Sequence, residues 1–228
     1  MNISALQARL TELGCYRGQI DGRFGPETRQ AVLTGMQDGP DYRLDAADIK
    51  DAAERLGVDA AAILAVRDVE ASASPFIDGK PTILFEPHRF SRATGHQYDA
   101  DHPQLSSRTW NRTLYPKTQA GRWTQLLDAC ALDPDAAFAS ASYGAFQILG
   151  ENFAVCGARD PFAFAWQESQ TEADQLQHFC RFVEGNHLVP FLQVKDWAGF
   201  ARRYNGSAYK QNHYDTRLSQ AYTRRKAA

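Results

Sequence analysis

The sequence predicts a mainly α-helical chain in two parts: a small helical module, then a larger α+β domain with one small β-hairpin and sheet. Three observations carry this. Apolar residues recur at helical spacing along most of the 228 residues. β-prone residues concentrate in one short run beside an Asp-Gly turn. A stretch rich in turn formers, QDGPDY, interrupts the helical pattern after Met36.

In chain order, Leu6, Leu10 and Leu13 lie on one face of a first helix. The turn GCYRGQIDGRFGPET leads to a second helix with Pro26 at its first position. Gly22 and Gly25 permit the tight loop, and Phe24 is placed to plug the space between the helices; a plain structural hairpin is the alternative reading. Met36 to Arg43 reads as a loop, so the division is 1–37 for the module, 38–43 for a linker and 44–228 for the second domain. Leu44 to Leu56 is a helix capped by Asp45 and stopped by Gly57.

The next helix, capped by Asp59, carries Ile63, Val66 and Glu70 at i, i+3 and i+7. Glu70 therefore continues an apolar stripe, where burial raises a carboxyl pKa and keeps a proton available near neutrality, as a general acid requires. Asp78-Gly79 then turns the chain from Phe76-Ile77 into the strand Thr82 to Phe85, and Pro87 ends that strand with Glu86 at its tip. A helix-end glutamate and a carboxylate on a nearby sheet are the two parts of a glycosidase site. The structural alternatives stay open: Glu70 paired with an arginine, and Glu86 paired with His88 or Arg89.

After Phe90 comes a polar stretch dotted with aromatics, too long for a plain connection and read as a functional loop. Its Tyr98, Trp110 and Tyr115 are candidates either to stack on sugars or to anchor the loop. Trp123, Leu126, Leu127 and Cys130 mark a buried helix face, and a further helix starts at Asp135. The run Ser142 to Ile148 breaks the helical pattern with Gly144. Asp160-Pro161 starts a helix, and Ser169 opens a long one that ends at Gly185-Asn186. Asp196 caps a helix with Trp197, Phe200 and Tyr204 on one face, and Asn212 begins a last one with a basic end.

Hydrophobic content of 43%, charged content of 23% and a net charge of -2 are those of an ordinary globular protein, with no general pull toward nucleic acid or anionic membrane. No membrane-span-length apolar stretch occurs, and MNISALQARL lacks the charged and apolar regions of a leader. Cys15, Cys130, Cys156 and Cys180 form no CxxC pair, so reduced thiols and no zinc site are expected. Cys130 or Cys156 with His178 could be drawn as a cysteine-peptidase pair, without a local signature.

Leu6-Gln7, Leu10, Leu13-Gly14, the run Asp21-Gly22-Arg23-Phe24-Gly25-Pro26-Glu27-Thr28, and Ala31 resemble the peptidoglycan-binding module of bacterial and phage wall hydrolases, of three-helix type. The usual second half of that pattern, with another DG and G-P-T, is missing here. The resemblance implies wall binding through Asp21, Gly22, Phe24, Gly25 and Thr28. Further on, Val69-Glu70, Gly144 to Ile148 and Arg203 to Gly206 resemble the lysozyme and lytic-transglycosylase group, and the linking run DGKPTILFEPHRF resembles the N-acetylmuramidase family of modular phage endolysins.

That resemblance implies a lysozyme-like domain with Glu70 as general acid, Gln147 lining a saccharide groove, and Tyr204 and Asn205 beside the acid, Tyr204 orienting Glu70 through its hydroxyl. Ala71 stands where many relatives have serine, so that serine's hydrogen bond would come from Ser72, Ser74 or elsewhere. Ala145-Phe146 stands where they have leucine-methionine. The implied reaction cleaves the β-1,4 bond between N-acetylmuramic acid and N-acetylglucosamine. Glu86 is the candidate second group, with Asp78, Asp99 and Asp101 in reserve. A lytic transglycosylase and a non-catalytic wall binder are the alternatives. The implied partner is the glycan strand, met by a monomer with no cofactor, metal, nucleic acid or stable membrane association. The expected setting is synthesis in a host cytoplasm and release through a membrane pore.

Overall fold

The computed structural model describes residues 1–37, 43–70 and 74–227. The expected linker thus lies almost wholly outside the described residues, as do Ala71 and Ser72. Among those described, helix α1 (Ile3–Glu12) and α2 (Pro26–Gly35) make the front module. They are followed by α3 (Ala46–Leu56), α4 (Ala60–Glu70), β1 (Phe76–Ile77), β2 (Lys80–Pro81), β3 (Ile83–Phe85) and α5 (Pro87–Ala93). Then come α6 (Gln119–Cys130), α7 (Pro134–Ala139), β4 (Ala141–Tyr143) and β5 (Ile148–Leu149). The chain closes with α8 (Pro161–Glu168), α9 (Glu172–Gly185), α10 (Val189–Val194), α11 (Trp197–Tyr204) and α12 (Tyr214–Ala227). No helix among the described residues is long and apolar enough to cross a membrane.

The module is organised by one polar side chain. Gln7 is fully buried, and its amide nitrogen lies 2.9 Å from Asp21 Oδ1, 3.0 Å from Thr28 Oγ1, 3.1 Å from the Arg23 carbonyl and 3.2 Å from the Tyr16 hydroxyl. Its oxygen accepts from Gly22 N at 2.9 Å. Asp21, Gly22 and Thr28 therefore direct polar groups inward to build the loop. Phe24 packs against the core, under the Arg29 guanidinium at 5.8 Å. Gln7→Ala is expected to cost roughly 2–4 kcal/mol, because it leaves several buried partners unsatisfied. The check is a thermal melt together with limited proteolysis, which should cut between residues 13 and 26. The module is tied to the larger domain by Arg9, which bonds Asp160 at 2.9 Å beside Phe162, and by Arg29, which bonds Asp128 at 2.6 Å.

Local signals explain most boundaries. Asp45 and Asp48 form a reciprocal capping box on α3, and Gly57 ends it in the left-handed conformation. Asp59 departs from expectation. Its carboxylate accepts from Tyr222 at 2.6 Å and pairs with Lys195 at 3.1 Å, bonds that pull its pKa down to about 2. The Asp78-Gly79 turn joins β1 to β2, but the hairpin stops at Pro81, which has no N–H to donate. The strand after it instead joins a second sheet of order β3-β4-β5, antiparallel, with Ile83 opposite Tyr143 and Tyr143 opposite Ile148. The helix read from Asp135 to Ala141 ends at Ala139 and yields to β4. Ser169 terminates α8 rather than opening α9, which Thr171 caps.

Candidate active site

Two elements present the glutamates. Glu70 is the last residue of α4, whose Ile63 and Val66 are fully buried. Packing of α12 along α4 is the most extensive helix contact of the fold, and Arg217 Nη2 donates to the Val69 carbonyl at 2.8 Å, tying off the helix end. Glu70 keeps some solvent-accessible surface, yet its carboxyl is closely surrounded by protein atoms. Desolvation pushes its pKa up to about 7, against the opposing pull of the Asn205 hydrogen bond and the Arg217 charge. Asn205 Nδ2 donates to Glu70 Oε1 at 2.7 Å. The arginine alternative is not what forms: Arg67, on the same helix, pairs with buried Glu172.

Asn205, not Tyr204, thus holds the carboxyl. The Tyr204 hydroxyl donates to the Phe146 carbonyl at 2.6 Å, while its ring stacks on Phe200 and meets Phe182 edge-on. Helical geometry is the reason. Tyr204 completes the apolar face of α11 and turns inward, and Asn205, one residue on, caps the helix and faces the acid.

Gly144 to Gln147 is the turn between β4 and β5, with φ +68° at Gly144 and +49° at Gln147. Gln147 is locked from both ends. Its Oε1 accepts from Ser142 Oγ at 2.9 Å, and its Nε2 donates to the Gly144 carbonyl at 2.8 Å and the Thr82 carbonyl at 3.2 Å. Behind it, Gln175 accepts from Ala145 N and donates to the Glu168 carbonyl, both at 2.8 Å. Glu168 is buried against His178 Nδ1 at 2.8 Å.

Glu86 follows β3 and precedes Pro87 at the start of α5. The Tyr115 hydroxyl donates to its carboxylate, and His88 Nδ1 lies 3.3 Å from the same oxygen. Burial and the bond to Glu86 hold the Tyr115 phenol well above its ordinary pKa. Tyr214, half-buried at the start of α12, feels the charge of both Glu70 and Glu86, which raises its own pKa after burial has done so. Sequence reading missed Tyr214 and Arg217; their i, i+3 spacing on a polar helix is the only local signal they carry.

One reserve acid, Asp99, and the Cys156 thiol are engaged elsewhere. Asp99 accepts from Ser91 at 2.7 Å and Ser106 at 2.6 Å and knots its own loop. The Cys156 thiol, pushed up to about 12 by burial, contacts the His178 carbonyl, and the His178 ring is taken by Glu168 and Gln167. Among the described residues no cysteine–histidine pair forms. Among the described residues, no three His, Cys, Asp or Glu side chains converge on a common point.

A helical domain packed on a small antiparallel sheet, with a half-buried glutamate at a helix end and a helical module in front, has the lysozyme-like architecture. The profile of the N-acetylmuramidase family matches residues 59–226, and that of a putative peptidoglycan binding domain matches residues 2–34. A crystal structure of the Burkholderia AP3 phage endolysin is similar, with a TM-score of 0.71 and 34% identity over 99% of this chain and 94% of that one. No curated protein matches the sequence. The chain belongs to the N-acetylmuramidase family and is a glycoside hydrolase acting on peptidoglycan.

Proposed function

We propose that the enzyme cleaves the β-1,4 bond between N-acetylmuramic acid and N-acetylglucosamine, with Glu70 as the general acid. The observation that carries this is a helix-end carboxyl raised to about 7 by burial while Asn205 fixes its orientation. At such a pKa the group is largely protonated below neutrality and can deliver its proton to the bridging oxygen as positive charge grows at the anomeric carbon. Asn205 is then a positioning residue, and Tyr204 positions the Gln147 turn through the Phe146 carbonyl. Residues 1–37 act as the wall-binding module and 44–228 as the catalytic domain. Likeness to the AP3 phage endolysin supports lysis of a host wall as the setting.

Glu86 is the candidate second group, either holding the attacking water or stabilising the developing charge. One observation favours a second reading. Tyr115 already bonds the Glu86 carboxylate and His88 stands beside the same oxygen, so that oxygen is occupied rather than open to an attacking water. The muramic 6-hydroxyl would then attack in place of water, giving the anhydro end of a lytic transglycosylase. Mass spectrometry of digested sacculi separates the two: reducing muramic ends are the expected result, and anhydro ends on most fragments would transfer the assignment. Released free peptides would reject both.

A further inference from the structure

We propose that Trp110, backed by Tyr115, is a stacking platform for a pyranose ring of the glycan strand on the Glu86 side of the cleft. The subsite rests on the reading of Glu70 and Glu86 as parts of one glycan cleft. Among the described residues, Trp110 is the exposed aromatic, 62% open to solvent; the other exposed large apolar side chains are Ile20 and Val194. Its indole lies 6.1 Å from the Tyr115 ring, tilted by 40°, and Tyr115 reaches on to Glu86.

The loop that displays it is built to hold still. Asn111 bonds Thr113 at both its N–H and its hydroxyl, making a 3-10 turn directly after the tryptophan. Gln125 of α6 donates to the Leu114 carbonyl at 2.8 Å and to the Gln104 carbonyl at 3.1 Å, and Arg122 donates to the Pro116 carbonyl. Ser107 N is bonded to the Pro87 carbonyl, one residue from Glu86. Tyr98 shows the contrast. Its ring stacks on Phe90 and its hydroxyl bonds the Leu132 carbonyl, so that aromatic serves as an anchor.

An indole displayed on a hydrogen-bonded loop leaves its face open to a flat apolar partner. β-1,4-linked amino sugars present flat faces of axial C–H groups that suit an aromatic ring. Position and chemistry agree: the Trp110 and Tyr115 rings run on from Glu86, within reach of a glycan strand held at that carboxylate.

Trp110 is also the main solvent-exposed fluorophore, since Trp123 and Trp197 are buried and Trp166 is partly so. The experiment titrates E70Q protein with a soluble tetrasaccharide of alternating N-acetylglucosamine and N-acetylmuramic acid, following emission and binding heat together. Expected is a saturable emission change in E70Q that is absent from the E70Q/W110F protein. In active enzyme, Trp110→Ala should raise KM about tenfold, with a smaller change in kcat, while Trp110→Phe recovers most of the loss. Unchanged emission at a concentration that calorimetry shows to be saturating, or a Trp110→Ala KM within about twofold of wild type, overturns the platform. Product appearing in the E70Q tube would instead remove the Glu70 reading, so the two failures are told apart.

Discussion

Glu70→Gln is expected to lower peptidoglycan cleavage a hundredfold or more while leaving binding to purified sacculi intact. The amide keeps the shape of the acid and can still accept the Asn205 hydrogen bond, so the fold around the end of α4 is undisturbed; only the transferable proton is lost. The same group predicts two pH effects. The proposed general acid works in its protonated form, so on that reading wild-type turnover should fall as pH rises through about 7.

The stability effect follows from linkage. The folded pKa of about 7 stands above the ordinary value of 4.5, so between these values the folded state binds more protons than the unfolded one. Its contribution is fully present below 4.5 and is lost as pH rises through 7. Glu70→Gln, which cannot ionise, should therefore become more stable than wild type on the alkaline side, by roughly 3 kcal/mol. Turbidity clearing and thermal melts across pH 5 to 9 read both effects. Full clearing by the variant would end the role given to Glu70. A stability difference that does not depend on pH would mean its carboxyl is an ordinary solvated one.

Gly144→Ala carries the other large effect. At φ +68° any side chain is strained, and a Cβ there would sit 2.6 Å from Gln175 Oε1 and 2.7 Å from Glu168 Oε2. Neither neighbour can step aside. Gln175 is bonded to Ala145 N and the Glu168 carbonyl, and Glu168 is fixed by His178. Backbone strain plus overpacking amounts to roughly 2–4 kcal/mol, lowering Tm by about 5–15 °C in a chain of this size. The displaced turn carries Gln147 and Phe146, so activity should fall with it. Gly95→Ala is the control. Gly95 has a similar φ of +60° and nothing within 4 Å of a Cβ, so it reports backbone strain alone and should cost much less. Equal losses at the two positions would show that the buried Gln175–Glu168 support is unimportant.

Much of this protein was legible in sequence because the signals were local. Pro26 at a helix start, Asp45 with Gly57 as caps and the Asp78-Gly79 turn each act within a few residues. Glu70 was legible for a related reason: a carboxyl in register with Ile63 and Val66 belongs to the buried side of its helix wherever that helix packs. The module signature was readable as a pattern, though its physical meaning lies in buried Gln7, which gathers residues from Tyr16 to Thr28.

What the chain could not disclose residue by residue was pairing over distance. Thr82 to Phe85 carries the marks of a strand, but Pro81 sends it from the nearby hairpin to Ala141–Tyr143, far along the chain. Asp59 had the chemistry of a helix cap and was drawn off by Tyr222 and Lys195. Between adjacent Tyr204 and Asn205, only the rotation of α11 against α9 and α4 decides which one reaches the acid. Sequence determined that one carboxyl would be deprived of water. Tertiary packing decided what orients it, which charges surround it and where the strand tip bearing Glu86 lies, because those depend on contacts between segments whose separation along the chain carries no local signal.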